Sequence, residues 1–247
     1  DDNDRFDSAT TYRVQGAAGL WAGARLHAAA GSGIKNPGIF ELFGFNPGSF
    51  IGNPALKPER SEGWEAGVEQ RALDGAVRVD VTYFDNTLTD EIATTFVGPF
   101  FTATPVNLST DSTQRGVEVA AEAALGDWRV TAAYTWLDAE QNGAEEVRRP
   151  PHVASLNLAW RAPSARFGAF ASVRYNGETL DNNFTLTGPP ITTLSSYTLV
   201  SLGGDIQLTE RVALYARVEN ALDEDYEDIF TYVAPGRAGF IGVRAGF

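Results

Sequence analysis

Apolar and polar residues alternate with a period of two along most of the chain. In the clearest segment Val77, Val79 and Val81 share one face, while Arg78 and Asp80 lie on the other. The same alternation recurs at residues 128–136, 211–219 and 241–247, and in weaker copies centred on Val14, Leu26, Ala66, Val119, Leu156, Ala171 and Leu199. This pattern predicts strands with one apolar and one polar face, about eleven in all.

The predicted strands are long, and their connections are of two kinds. Each strand covers about 9 to 13 residues, the length that a tilted membrane-spanning strand needs. Five connections are tight turns, at residues 22–23, 74–75, 126–127, 163–164 and 209–210. Five others are longer and predicted to be irregular, at residues 32–58, 91–110, 139–149, 177–194 and 221–235. Short turns at one end and long loops at the other are typical of an outer-membrane barrel.

Aromatic residues lie near the ends of the predicted strands. They are Tyr12, Trp21, Trp64, Tyr83, Trp128, Trp136, Trp160, Tyr175 and Tyr197. Belts of Trp and Tyr are expected where side chains meet the two interfaces of a membrane. A soluble β-sandwich is the alternative, but its strands average about 5 to 6 residues. We therefore predict an all-β protein, a transmembrane antiparallel up-and-down β-barrel.

The composition excludes several classes of function. The 19 Lys and Arg residues against 32 Asp and Glu residues give a net charge of −13. This charge argues against a nucleic-acid partner, since phosphate contacts need clustered Lys and Arg. There is no cysteine for a disulfide or a thiol site, and only His27 and His152 are available as histidine ligands. The chain contains no run of about 18 strongly apolar residues, so the sequence predicts no membrane-spanning helix. The chain starts at Asp1 without a signal segment, so we expect a processed or excised piece.

Three motifs carry a resemblance to a known family. They are residues 41–43 (ELF) followed by 52–61 (GNPALKPERS), residues 115–118 (RGVE), and residues 218–223 (VENALD) followed by Tyr226, 235–237 (PGR) and the terminal Phe247. The prolines of the first motif suit the entry to a strand, because proline cannot donate to a strand ladder. In this order the motifs resemble those of the TonB-dependent outer-membrane receptors, and the resemblance covers nearly the whole chain.

The resemblance implies a protein larger than this sequence. Members of the family have an N-terminal plug domain, a barrel of about 22 strands and a short motif that contacts TonB. None of these N-terminal features is found in residues 1–247. We therefore expect the C-terminal half of a receptor barrel, about strands 12 to 22, without its plug. A smaller closed barrel is the alternative fold.

The function implied by the resemblance is TonB-coupled uptake of a scarce large solute, such as an iron–siderophore complex or vitamin B12, at the bacterial outer membrane. Without its plug the chain is not expected to transport by itself. The implied partners are outer-membrane lipid, the barrel-assembly machinery, TonB through the missing plug, and a siderophore or corrinoid solute. The alternative is a small stand-alone barrel that acts as a passive pore or a structural protein.

The candidate solute-binding residues are aromatic and lie in two predicted loops. They are Phe43, Phe45, Phe50, Phe96, Phe100 and Phe101. Aromatic rings can stack on a large solute, and the alternative is that they pack the loops against each other. Phe247 is similar to the C-terminal signal that barrel-assembly machinery reads in the family. The alternative for Phe247 is an ordinary lipid-facing residue.

Catalytic and metal sites are not expected. His27 lies on the polar face of a strand and His152 at a strand start, but no serine lies in a recognisable nucleophile setting. The acidic residues within 223–228 offer oxygen ligands for Ca²⁺, yet they lack the glycine and the spacing of a dedicated calcium loop. We therefore predict no enzyme activity, no cofactor and no metal site.

Overall fold

The computed structural model describes residues 5–98, 102–185 and 187–246. Within these ranges the chain is almost entirely β-structure, with one short helix, α1 (Ile39–Phe43), and a 3₁₀ turn at Leu73–Gly75. The strands in chain order are β1 (Arg13–Gly19), β2 (Ala24–Lys35), β3 (Phe45–Asn46), β4 (Phe50–Ile51), β5 (Glu59–Ala72), β6 (Val77–Thr89), β7 (Ile92–Val97), β8 (Thr102–Asn107), β9 (Ser112–Leu125), β10 (Trp128–Gln141), β11 (Ala144–Glu145), β12 (His152–Arg161), β13 (Phe167–Asn176), β14 (Thr179–Asn182), β15 (Ile191–Leu194), β16 (Tyr197–Thr209), β17 (Val212–Glu219) and β18 (Ala238–Ala245). No helix in this part of the chain is long and apolar enough to cross a membrane.

Eleven of these strands form one antiparallel sheet, in which each strand pairs with the next member along the chain. The order is β1-β2-β5-β6-β9-β10-β12-β13-β16-β17-β18, and the two-residue β11 adds to β10. This order confirms the all-β, up-and-down topology and the eleven predicted strands. Within the described ranges β1 and β18 each pair with one neighbour only. Among the residues that the structure describes, the sheet is therefore open along both edges and does not close into a small barrel.

The tight turns lie where the alternation predicts them. The chain reverses direction at Gly23, Gly75 and Gly126, with φ angles of 77°, 87° and 58°. A Cβ atom makes this left-handed region unfavourable, so glycine lets two long strands join through few residues. All five tight turns lie at one end of the sheet, which we call the short-turn end. The five long connections lie at the other, the long-loop end.

The strand register sorts the side chains of the sheet into an apolar and a polar face. Residues that lie opposite each other on paired strands share a face. One such row runs through Ala72, Val77, Ala123, Val130, Leu158, Ala171, Leu202 and Val218, all of them apolar. Many apolar side chains of this face stay exposed, including Trp128 at 51% and Val243 at 64%. No second layer covers the face among the described residues, which argues against the β-sandwich alternative.

Charged side chains on the polar face bind each other within and between strands. Arg71 and Arg78 both donate to the carboxylate of Glu69, each at 2.8 Å. Arg161 binds both carboxylate oxygens of Asp205, at 2.7 and 3.0 Å. A polar face of this kind is stable where water or a polar partner fills the space beside it.

Aromatic side chains border the apolar face at both ends. Trp128 and Trp160 contact each other near the short-turn end, with ring centroids 6.4 Å apart. Trp64 and Tyr83 contact each other about midway along β5 and β6, at 5.3 Å, and Trp136 pairs with His152, the first residue of β12, at the long-loop end. On β10, Trp128 and Trp136 are eight residues apart, which spans about 20 Å at the usual strand tilt. The spacing fits the apolar band of an outer-membrane barrel, about 25 Å tall.

The prediction that the long connections are irregular was wrong for several of them. Strands β3, β4, β8 and β7 form a separate four-stranded sheet, and β14 and β15 form a separate hairpin. These strands are 2 to 6 residues long. Such short segments show too few positions for alternation to be recognised.

Candidate functional site

Three of the predicted aromatic residues, Phe45, Phe50 and Phe96, lie in the small sheet at the long-loop end. Phe50 pairs with Ala103, and Ala103 pairs with Phe96. These two phenylalanines therefore share one face of the small sheet, two strand spacings or about 10 Å apart. Phe45 pairs with Ile51 and lies on the opposite face. The structure thus places the phenylalanines in one sheet but divides them between its two faces.

These three phenylalanines differ in the exposed fraction of their side chains. Phe45 is 68% exposed and Phe96 is 61% exposed. Phe50 is half-buried and stacks on Phe40, with ring centroids 4.5 Å apart. For Phe50, packing within the loops is therefore the observed role.

Phe43 is exposed like Phe45 and Phe96, but its ring also contacts another side chain of the protein. It ends α1, is 56% exposed, and has the guanidinium of Arg5 4.9 Å from its ring centre. A cation over an aromatic face is attracted by the ring's negative charge density, which orients the ring. The predicted residues Phe100 and Phe101 lie outside the described residues, and so does Phe247.

The motif at residues 52–61 fixes the aromatic loops to the main sheet. The side chain of Asn53 donates to the carbonyl of Pro105 at 3.0 Å, which ties the two loops together. Glu59, only 7% exposed, accepts from Lys35 at 2.6 Å and from the backbone N–H of Ile92 at 2.8 Å. These contacts of Asn53 and Glu59 therefore position the loops that carry the aromatic rings.

A buried carboxylate joins three further loops at the same end. Asp181 is 0% exposed and lies on the β14–β15 hairpin. Its Oδ1 accepts from Arg148 Nε at 2.6 Å, and its Oδ2 accepts from the backbone N–H of Phe230 at 2.7 Å. Burial alone would raise the pKa of Asp181. The guanidinium of Arg148 and the N–H groups of Phe230 and Asn182 outweigh burial and hold that pKa below its ordinary value.

The acidic segment at residues 223–228 serves as loop structure. Asp223 accepts from the backbone N–H of Arg237 at 2.9 Å and pairs with its side chain at 3.1 Å, which lowers the pKa of Asp223. Asp228 accepts a hydrogen bond from the hydroxyl of Tyr197. Among the described residues no group of three or more His, Cys, Asp or Glu is arranged to hold a metal ion.

The two histidines have partners that do not form a nucleophile relay. His27 Nε2 lies 3.0 Å from Asp80 Oδ2, and the hydroxyl of Thr82 donates to Asp80 at 2.8 Å. The hydroxyl therefore bonds to the carboxylate and not to the imidazole that would have to activate it. His152 Nδ1 lies 2.9 Å from the hydroxyl of Tyr134.

Sequence reasoning missed the three-loop contact at Asp181. The residue lies outside every motif and in a connection predicted to be irregular. Its partners are 33 and 49 residues away along the chain, so no local pattern indicates the contact. Asn53 and Glu59 belong to a motif that the sequence shows. Their contacts with Pro105 and Ile92, which hold the loops in place, are visible only in the tertiary structure.

Comparison with known proteins finds a family model and curated relatives that match most of the chain. A family model described as "TonB dependent receptor-like, beta-barrel" matches residues 1–221. The chain is 31% identical over 231 residues to the vitamin B12 transporter BtuB of Vibrio vulnificus, covering 89% of this chain and 34% of that protein. It is 27% identical over 238 residues to the vitamin B12 transporter BtuB of Photobacterium profundum, covering 94% of this chain and 37% of that protein.

A solved structure agrees with these sequence relatives. The siderophore receptor PirA from Acinetobacter baumannii matches with a TM-score of 0.79 at 17% identity, over 99% of this chain and 42% of that chain. At this identity the likeness shows the fold. The chain spans about a third of the length of the two curated relatives.

Proposed function

Because the chain belongs to the TonB-dependent receptor-like β-barrel family, we propose that it forms wall and extracellular loops of an outer-membrane receptor that imports a scarce large solute. The observation that carries the proposal is the combination of a single-layer sheet, apolar on one face, with exposed aromatic rings held over one end. An apolar band bordered by aromatic residues suits lipid, and aromatic rings suit a large solute.

The arrangement of the sheet supports a bacterial outer-membrane location. In this proposal the apolar face meets lipid, the short-turn end faces the periplasm and the long-loop end faces outward. Phe247 would then belong to the C-terminal signal that the barrel-assembly machinery reads.

The polar face would line the inside of the barrel. Its charged groups, such as Glu69 and Arg78, suit the surface of a plug domain or a water-filled interior. Residues 1–247 would be the C-terminal part of the barrel, and the plug and its contact with TonB would come from chain outside this sequence. Transport is then a property of the whole receptor, and this chain alone would not perform it.

Phe43, Phe45 and Phe96 are the residues that we propose to contact the solute. Each is more than half exposed at the long-loop end, whereas the ring of Phe50 is stacked on that of Phe40. Phe100 and Phe101 follow Phe96 in the same connection and remain candidates by sequence position. The curated relatives are named as vitamin B12 transporters and the structural relative as a siderophore receptor, so corrinoids and iron–siderophore complexes are the solutes to test.

An uptake assay with the intact receptor tests the proposal. Cells with and without functional TonB are given radiolabelled cyanocobalamin or radioactive iron in siderophore complexes. We expect uptake of one of them that needs TonB and falls about tenfold or more in the triple variant F43A/F45A/F96A, since these rings would supply solute contacts. The matched control is F167A, an exposed phenylalanine at the short-turn end.

Three outcomes contradict parts of the proposal. Uptake that does not need TonB would favour the passive pore. Equal uptake by the triple variant and F167A would show that the three rings are loop packing only. Failure of the receptor to take up any of these solutes in TonB-competent cells would refute the import function.

A further inference from the structure

The five long connections carry most of the negative charge of the protein. We count residues 36–58, 90–111, 142–151, 177–196 and 220–237 as these connections. Their cations are Lys57, Arg148, Arg149 and Arg237. Their anions are Glu41, Asp90, Glu91, Asp111, Glu145, Glu146, Glu178, Asp181, Asp223, Glu224, Asp225, Glu227 and Asp228. Four positive charges against 13 negative charges leave −9, out of −13 for the whole chain.

Each cation of these connections is already bound to a carboxylate. Lys57 pairs with Asp90 at 3.6 Å, and Arg149 pairs with Glu146 at 3.1 Å. The remaining pairs are Arg148 with Asp181 at 2.6 Å and Arg237 with Asp223 at 3.1 Å. Within the described ranges the long connections therefore present no unpaired cationic side chain to an incoming anion.

The carboxylates that remain are spread over all five connections. Nine of them form no ion pair among the described residues: Glu41, Glu91, Asp111, Glu145, Glu178, Glu224, Asp225, Glu227 and Asp228. Exposed charges are screened beyond a Debye length of about 8 Å at physiological salt, so a solute that approaches any one of these connections meets mainly the carboxylates of that connection. A surface field of one sign raises or lowers association rates by about 10- to 1,000-fold, depending on the sign of the ligand.

We propose that these loops select a solute that is uncharged or positively charged and has an apolar face, and that they exclude polyanionic iron complexes. The inference rests on the proposed function and narrows its solute class. The exposed rings of Phe43, Phe45 and Phe96 supply apolar contact, and every cation of the five connections is paired with a carboxylate in the described ranges. Arg5, which precedes these connections, lies over the ring of Phe43 and donates to the carbonyl of Pro54. An anion entering these loops meets uncompensated like charge, and a cation is drawn to them.

The potential at the aromatic surface can be measured without knowing the solute. The chain has no cysteine, so Ile39→Cys, on a residue that is 82% exposed beside the aromatic loops, places one uncharged fluorophore in this chain of the intact receptor. Its collisional quenching is measured with caesium, iodide and uncharged acrylamide at low and high salt. Relative to free dye, we expect caesium to quench about threefold or more better than iodide at low salt, and the difference to vanish at high salt.

Two charge variants locate the source of that potential. The loop variant E224Q/D225N/E227Q removes three carboxylates that form no ion pair in the described ranges. The matched turn variant D74N/D127N/E210Q removes three carboxylates at the short-turn end, so the net charge changes equally. With the fluorophore moved to Val233→Cys, on a residue that is 87% exposed in the same connection as the three loop carboxylates, we expect the caesium preference to fall at least by half in the loop variant and to stay unchanged in the turn variant, because screening confines the effect to nearby charges.

The uptake assay separates this inference from the proposed function. The probes are uncharged cyanocobalamin, a monocationic ferric trihydroxamate and a trianionic ferric tris-catecholate. TonB-dependent uptake of either of the first two, without the third, supports the inference. TonB-dependent uptake of the trianion overturns the inference and leaves the import function standing. Equal or better quenching by iodide also overturns it, whereas absence of any TonB-dependent uptake refutes the import function alone.

Discussion

Replacing Asp181 with Asn should loosen three loops of the long-loop end at once. The carboxylate is fully buried and links the β14–β15 hairpin to Arg148 in one loop and to the backbone N–H of Phe230 in another. Its Oδ1 also accepts from the N–H of Asn182 at 2.7 Å. Asparagine has nearly the same shape, so D181N changes charge and acceptor number while it fills the same space.

The expected loss is about 2 kcal/mol for local opening of these loops. A hydrogen bond to a charged group contributes about 1.5 to 3 kcal/mol, and D181N loses the charged acceptor for Arg148. Arg148 is 46% exposed, so solvent screens this pair and the lower part of the range applies. A change of about 2 kcal/mol corresponds to about a 30-fold faster opening-limited exchange.

Native-state hydrogen exchange of the intact receptor measures this change. Peptides covering residues 146–150 and 226–234 should exchange about 30-fold faster in D181N at neutral pH, while peptides from β5, β6 and β9 should not change. The matched control is D225N, an exposed carboxylate on one of the same loops. Unchanged exchange at Phe230 would refute the reasoning, and so would faster exchange spread evenly over the sheet.

The pH dependence of the same contact has a definite sign. The pKa of Asp181 is lower in the folded protein than in the unfolded chain. The stabilisation is therefore complete above the unfolded pKa of about 3.9 and is lost as the pH falls through the folded pKa. We expect the three loops to show no change in protection from this group between pH 5 and 8, and to loosen only below about pH 4.

Three substitutions test the packing of the hairpin, the polar face and the apolar face. Thr179 has a buried hydroxyl without a hydrogen-bond partner in the described ranges, so T179V should leave the free energy of unfolding equal or higher by up to about 1 kcal/mol; a clear drop would show that the hydroxyl is bonded. A Cβ on Gly67 would come within 2.6 Å of a neighbouring imidazole nitrogen, so G67A should cost about 1 to 3 kcal/mol in urea unfolding, whereas G16A, with nothing within 4 Å, should not. L156R puts a charge on the apolar face and should cost about 2 to 4 kcal/mol in lipid vesicles, and A133R on the polar face of the neighbouring strand should cost much less.

The alternation of the sequence was sufficient to predict the main sheet. Each long strand has one face toward an apolar environment and one toward a polar environment. Successive residues therefore alternate between apolar and polar, as in Val77, Arg78 and Val79. Strand count, strand order and the two faces followed, because each strand pairs with the next long strand through a short turn or a loop. The family was also recognisable, because its motifs are short and contiguous.

The tertiary structure alone decided how the long connections are arranged. Phe50 and Phe96 share a face of the small sheet only because both align with Ala103, and Phe45 is placed on the other face by one residue of register. Asp181 meets Arg148 because the connection at residues 142–151 contacts the β14–β15 hairpin, where Arg148 N also donates to the carbonyl of Leu180. Periodicity reports the environment of a single segment, whereas contacts between loops depend on the paths of several segments in space. The sequence by itself therefore determined the main sheet and its two faces, and the folded loops decided which aromatic rings and charged groups are exposed at the long-loop end.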